Sequence, residues 1–251
     1  MANIIRLGSL YLNDCPAEIG LAYKPGKTIS IGETAPGKEI HWVVVNDMLI
    51  ADRCILTEVS WDDLNAQNLV FGKEVTISGF RFTARLIQVG AEEGAPNEWD
   101  SALDAVGEDN SLWHWEDMFF WGQEAATGTA SSRALRGYDS ARYYTYNSSS
   151  SRTVLVGFRP ALVPLASDTL WPSSKAMWWL SEKVMWDDAH LDEKLMLWGG
   201  QNIIFGRLEE LTDYEVILSD RGGAMSNDFG SRLGNGRIVI DRAAISGIQR
   251  I

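Results

Sequence analysis

Cysteine and histidine are scarce in this chain, with 2 Cys and 3 His among 251 residues. Chemistry that gathers several of either residue into a metal site or a nucleophile-base pair is therefore short of raw material. Positive charge is also in deficit: 22 Lys and Arg stand against 34 Asp and Glu, a formal charge of −12. Wrapping DNA or RNA needs a basic face that neutralises phosphates, so nucleic acid is not expected as a partner. No apolar run approaches the roughly 18 residues of a membrane span, and no membrane insertion is expected. The opening MANIIRLGSLYLND has neither the sustained apolar core nor the small-residue cleavage site of a secretory signal, so synthesis in a cytoplasm is expected. In that reducing setting Cys15 and Cys54 are expected as free thiols.

Aromatics are plentiful instead: 11 Trp, 8 Phe and 7 Tyr, in a length sufficient for one large domain or two small ones. Residues 1 to 60 read as short strands between turns, with Pro25-Gly26 and Pro36-Gly37 as turn signals and His41 to Val45 as a β-branched run. Val75, Ile77, Phe80, Phe82, Ala84 and Leu86 alternate on either side of Ser78-Gly79, which predicts a hairpin. Trp99, Leu103 and Val106 have helical spacing between an Asn97 or Pro96 start and a Gly107 stop. Five aromatics then crowd Trp113 to Trp121, a polar stretch runs from Thr127 to Arg152, and VLVGFRPAL at Val154 to Leu162 reads as a buried strand. Over residues 173 to 198, Met177, Leu180 and Val184, then Leu191, Leu195 and Trp198, suit one or two amphipathic helices. NIIFGRL, YEVILSD and GRIVIDR follow as strands, the last entered through Asn235-Gly236. QNLVFGK at Gln67 and QNIIFGR at Gln201 echo each other, either as a duplicated strand or by chance.

Enzyme signatures are weak. Asp187-Asp188-Ala189-His190 and the set His114, Glu116 and Asp117 bring metal-ligating types together, but neither has a metal-site spacing, and a solvated helix end and an aromatic turn explain them. The glycines at 222, 223, 230, 234 and 236 precede no helix with Lys-Ser or Lys-Thr and read as turn glycines. Ser131, Ser132 and Ser148 to Ser151 have no glycine-flanked elbow and no neighbouring His. His41, His114 and His190 are isolated in sequence and read as structural. No catalytic residue, metal or cofactor is therefore assigned. The aromatics of Trp113 to Trp121 read as core, with an exposed stacking platform as the alternative. Arg136 to Arg159, RGYDSARYYTYNSSSSRTVLVGFR, has the composition of a recognition surface: Tyr supplies amphipathic area at low entropy cost, and Ser and Asn supply adaptable hydrogen bonds.

WHWEDMFFWGQ, SSRALRGYDSARYY and SRTVLVGFRPAL, in that order, resemble the C-terminal part of the C-type-lectin-like fold of the formylglycine-generating-enzyme superfamily. Within that superfamily they are most similar to the ligand-binding variable proteins of diversity-generating retroelements. The resemblance covers roughly residues 60 to 165 and is most specific at Val156 to Arg159. It implies a diversified ligand-binding surface at Tyr138, Asp139, Tyr143, Tyr144, Thr145, Tyr146, Asn147, Ser148, Ser149 and Ser150, with Ser140, Ala141, Arg142 and Arg152 as framework. It further implies a phage or bacterial-surface setting, including the virion. The superfamily's catalytic cysteines and His-rich iron site have no counterpart here, and catalysis is not carried over. About 85 residues follow the closing strand, so an added C-terminal module or a side branch is expected.

The expectation is thus an α+β protein: a β-rich region over 1–60, a C-type-lectin-like domain over 61–165 and a helix-plus-strand module over 166–251. Its expected function is non-enzymatic recognition of a protein or glycan ligand on a cell surface. A phage or bacterial structural protein whose surface serves only subunit contacts, as in a homo-oligomer, is the second class. A metal-dependent enzyme on the same fold is the third, separable by elemental analysis.

Overall fold

The computed structural model describes residues 2–166, 191–212 and 214–251. The hairpin forms where alternation places it: Lys73–Ile77 pairs with Phe80–Leu86, and all six alternating apolar residues are buried. Ser78 and Gly79 make the turn with φ of +56° and +86°, the doubly left-handed geometry that matches strand twist in two-residue hairpins. This hairpin closes one end of an eight-stranded sheet that also contains Asn3–Leu12, Glu39–Val45, Met48–Ala51 and Pro160–Pro164.

A second sheet of six strands runs in the order Tyr144–Ser148, Ser132–Gly137, Phe119–Ala125, Val156–Phe158, Leu56–Thr57 and Leu21–Ala22. The apolar run at Val154 to Leu162 is not one strand. Val156–Phe158 pairs in the second sheet and Pro160–Pro164 in the first, so the chain changes sheets at Arg159. Arg159 is fully buried there, its guanidinium 4.7 Å from the Phe120 ring centroid and its Nη2 donating to the Trp113 carbonyl at 2.6 Å. Trp42, Phe80 and Phe82 of the first sheet share one core with Trp121, Leu135 and Phe158 of the second. Val43, Val45 and Ala161, on the opposite face of the first sheet, pack into a second core with helix Glu98–Val106. That helix starts with the Asn97 side chain accepting from the Asp100 amide and stops at Gly107, as its capping residues predict.

The expected α+β class with a helix-plus-strand C-terminal module is overturned. Among the described residues strands make up 49% and helices 9%, in curled, mostly antiparallel sheets, so the fold is mostly β. The described C-terminal residues form a third sheet of six strands, Gly230–Arg232, Arg237–Asp241, Glu215–Ala224, Asn202–Leu211, Lys194–Gly199 and Gly247–Arg250, with a single three-residue helical turn at Arg242–Ala244. The helices expected over 173 to 198 lie outside the described residues as far as 190, and Lys194–Gly199 is a strand. Leu195, Met196, Leu197 and Trp198 are all buried. A run apolar at every position satisfies a period of 3.6 and a period of 2 equally, and burial on both faces selects the strand.

The third sheet docks on the first through Met196, Trp198 and Ile203, which join the main core. Polar ties accompany them: Gln249, only 2% exposed, accepts from the Arg81 amide and donates to the Arg81 carbonyl at 3.0 Å and to that of Leu165. No helix among the described residues is long and apolar enough to cross a membrane.

Candidate functional site

The tyrosine-rich segment is the outer border of the second sheet. Among the described residues Tyr144–Ser148 pairs with Ser132–Gly137 alone, in a register that sets Arg136 opposite Tyr144, Ala134 opposite Tyr146 and Leu135 opposite Thr145. The loop entering this strand begins with two left-handed residues, Gly137 at φ +100° and Tyr138 at φ +79°. A Cβ at Gly137 would lie 2.5 Å from the Met118 carbonyl oxygen, so only glycine fits.

Buried side chains clamp the loop from beneath. Arg136, 2% exposed, donates Nε and Nη2 to the Val89 carbonyl at 3.0 and 2.8 Å, Nη1 to the Arg142 carbonyl at 2.6 Å, and Nη2 to Asp100 Oδ2 at 2.9 Å. Trp99 Nε1 donates to the Ala141 carbonyl at 2.7 Å. Arg142 reaches back to Glu108 at 2.6 Å and Asp104 at 2.7 Å, and these hydrogen bonds raise its already high pKa. The far end of the segment is tied to the short helix Trp61–Asn65: Arg152 grips Asp63 with two bonds of 2.7 Å, and the Asp62 amide donates to the Ser149 carbonyl at 3.0 Å. Burial pushes the Asp63 carboxyl up, but Arg152, the Ser60 hydroxyl and the Ser60 amide outweigh it and hold the pKa below its ordinary value.

Of the ten residues expected to bind ligand, the structure puts two sets on opposite faces of the border strand. On one face the Tyr138 ring stacks on Phe119, centroids 4.8 Å apart at 9°, and Tyr143 lies 6.1 Å from the same ring. By strand alternation Thr145 and Asn147 continue that face. Tyr144, Tyr146 and Ser148 take the other, where the Arg136 guanidinium lies 5.4 Å from the Tyr144 ring and the Tyr144 hydroxyl donates to the Ala91 carbonyl at 2.6 Å. Burial raises the Tyr144 pKa above its usual value. Asp139 is exposed in the loop, while Ser149 and Ser150 form the turn beside the helix, Ser149 Oγ donating to Asp62 at 3.2 Å.

The residues missed from sequence surround Tyr138 and Tyr143. Phe119 is their shared platform, and its amide donates to the carbonyl of Leu155, which is 41% exposed beside Val154 at 63%. Together with Tyr143 at 41%, they make an exposed apolar patch on a fixed backbone. The aromatic run containing Phe119 was the available signal, and it divides: Trp113, Phe120 and Trp121 are buried core, while Trp115 and Phe119 are half-buried.

The acidic and histidine candidates have other duties. Glu116 accepts from Asn110 at 3.0 Å, and His114 Nε2 faces Arg53 Nη2 at 2.9 Å. His114 Nδ1 and His41 Nδ1 each lie 3.8 Å from Asp52. Asp187, Asp188 and His190 lie outside the described residues. Cys15 is exposed and Cys54 buried, both as free thiols, and burial pushes the Cys54 thiol up to about 11. No family model, curated protein or solved structure matches the chain.

Proposed function

We propose that the chain is a non-enzymatic binding protein that presents a diversified Tyr, Ser and Asn surface to a protein or glycan ligand on a cell surface. The observation that carries this reading is the Tyr138, Phe119 and Tyr143 cluster, in which Tyr143 is exposed over half-buried Tyr138 and Phe119, built on a loop clamped by buried Arg136 and Trp99. Rigid aromatics on a preorganised backbone lose little entropy on binding, and such residues dominate interface energetics. The resemblance to the variable proteins of diversity-generating retroelements supports the diversified character of the segment.

The encoding DNA tests this directly. A nearby near-copy of the region coding for residues 136–159, differing only at adenines and adjoining a reverse transcriptase gene, is expected; its absence would remove the diversified part of the proposal. The two-faced strand also decides which tyrosines to change. Tyr144 is half-buried and bonded to Ala91, so its replacement perturbs the scaffold, whereas Tyr138→Ser with Tyr143→Ser strips the patch at the cost of the ring stack on Phe119, about 0.5–1.5 kcal/mol. Exposed Val154 and Leu155 beside the patch support subunit assembly as the second reading. Sedimentation separates the two: an oligomer dissociated by the Tyr138→Ser, Tyr143→Ser variant would assign the patch to assembly, and a monomer would leave it to an external ligand.

A further inference from the structure

A groove lies between the first and third sheets. The groove has a volume of about 580 Å³, within the range of small-molecule sites. Among the described residues three cations line it, Arg6, Lys194 and Arg221, and no carboxylate does, in a chain with 34 acidic residues. Among the described residues Arg6 and Arg221 have no carboxylate within 4.0 Å. Of the nearby acids, Asp220 pairs with Arg232 and Glu33 accepts from the Ser78 amide at 2.8 Å, while Glu39 accepts from the Gly37 amide at 3.1 Å and also feels the Arg6 charge, which helps hold its pKa below the ordinary value. Lys194 is held in place by the Ser78 carbonyl at 2.7 Å and the Phe80 ring at 5.1 Å.

The backbone of the third-sheet wall bulges at Arg221. Phe205 pairs with Gly222 and Gly206 with Asp220, which makes Arg221 the extra residue. In the first sheet Arg6 pairs regularly with His41, and the register shifts beyond it, between Arg6 and Ser9, through Gly8 at φ +65°. Bulges interrupt pairing and re-aim side chains beside functional sites. The floor is apolar: half-buried Phe205 lies against the fully buried Phe80 at a centroid separation of 5.3 Å.

We propose that this groove binds a small organic anion, an oxyanion carried on an apolar ring. Arg6, Arg221 and Lys194 hold the oxyanion, the guanidinium groups by charge-assisted hydrogen bonds, and the ring rests on the aromatic floor. The site is independent of the tyrosine patch.

Calorimetric titration of the full chain with phenyl phosphate, inorganic phosphate and benzyl alcohol tests it. Phenyl phosphate is expected to bind, inorganic phosphate about tenfold more weakly for want of a ring, and benzyl alcohol not measurably. Arg6→Ala with Arg221→Ala, both exposed positions, should weaken phenyl phosphate at least tenfold without moving the thermal transition. Affinity should also fall as salt rises from about 20 to about 200 mM. Absence of phenyl phosphate binding, equal affinity in the double variant, equal affinity for inorganic phosphate, or indifference to salt would each overturn the proposal.

Discussion

Replacing Arg136 by Met should loosen the tyrosine loop and destabilise the whole chain. The methionine fills most of the buried volume but supplies none of the donors that now satisfy the Val89 and Arg142 carbonyls and Asp100. A buried acceptor left without a partner costs about 1–3 kcal/mol. Breaking a buried ion pair costs about 3–5 kcal/mol, but the Asp100 side chain is 22% exposed and regains water, which places this contribution low in its range. Because the three losses belong to one network they are not additive, and a total of about 3–5 kcal/mol is expected. At about 3 °C per kcal/mol for a chain of this size, the thermal midpoint should fall by about 10–15 °C. Arg136→Lys should recover only part, since a single ammonium cannot reach all three acceptors with the guanidinium's fork geometry. Calorimetry reads the first effect, and amide hydrogen exchange across residues 138–143 reads the second. A loss below about 1 kcal/mol, or unchanged exchange in the loop, would refute the view that Arg136 is the clamp.

Gly137→Ala should cost about 1–3 kcal/mol, because the left-handed backbone and the Met118 carbonyl both oppose a Cβ; urea unfolding measures it. Asp63 has a folded pKa below its ordinary 3.8, so its contribution to stability is present above that value and is lost as pH falls through the lower folded value. Asp63→Asn should therefore flatten the stability profile below about pH 4, whereas a profile parallel to that of the original chain would sink the assignment. With the Cys54 thiol raised to about 11 by burial, a thiol reagent at about pH 8 should titrate Cys15 alone in the folded chain and both cysteines after unfolding; two fast thiols in the folded state would contradict the burial.

The segments legible from sequence were those with local signatures. Alternation plus Ser78-Gly79 marks the hairpin, and Asn97 with Gly107 marks both ends of the helix. The short helix at Trp61 carried a signature that went unread: Ser60 and Asp63 form a reciprocal capping pair. Two other segments had no local signature to read. Leu195 to Trp198 is apolar at every position, so periodicity could not separate helix from strand. The change of sheet at Arg159 occurs inside an apolar run, where the buried guanidinium packs against the Trp99 and Phe120 rings, contributed by residues far away in sequence.

The ten candidate binding residues show the same division. Their composition and contiguity, and the arginines at 136, 142 and 152 that frame them, are properties of the linear chain. Which side each tyrosine faces was decided by the pairing of Tyr144–Ser148 with Ser132–Gly137, and how exposed it is was decided by what packs beneath it: on one side Tyr144 is half-buried and Tyr146 exposed. Phe119 enters the patch, and Arg6 and Arg221 come to line one groove, only through contacts between distant segments. Sequence determines the elements because caps, turns and alternation act over a few neighbouring residues. Tertiary structure alone assigns their faces, because a strand's two sides are equivalent until distant chain buries one of them.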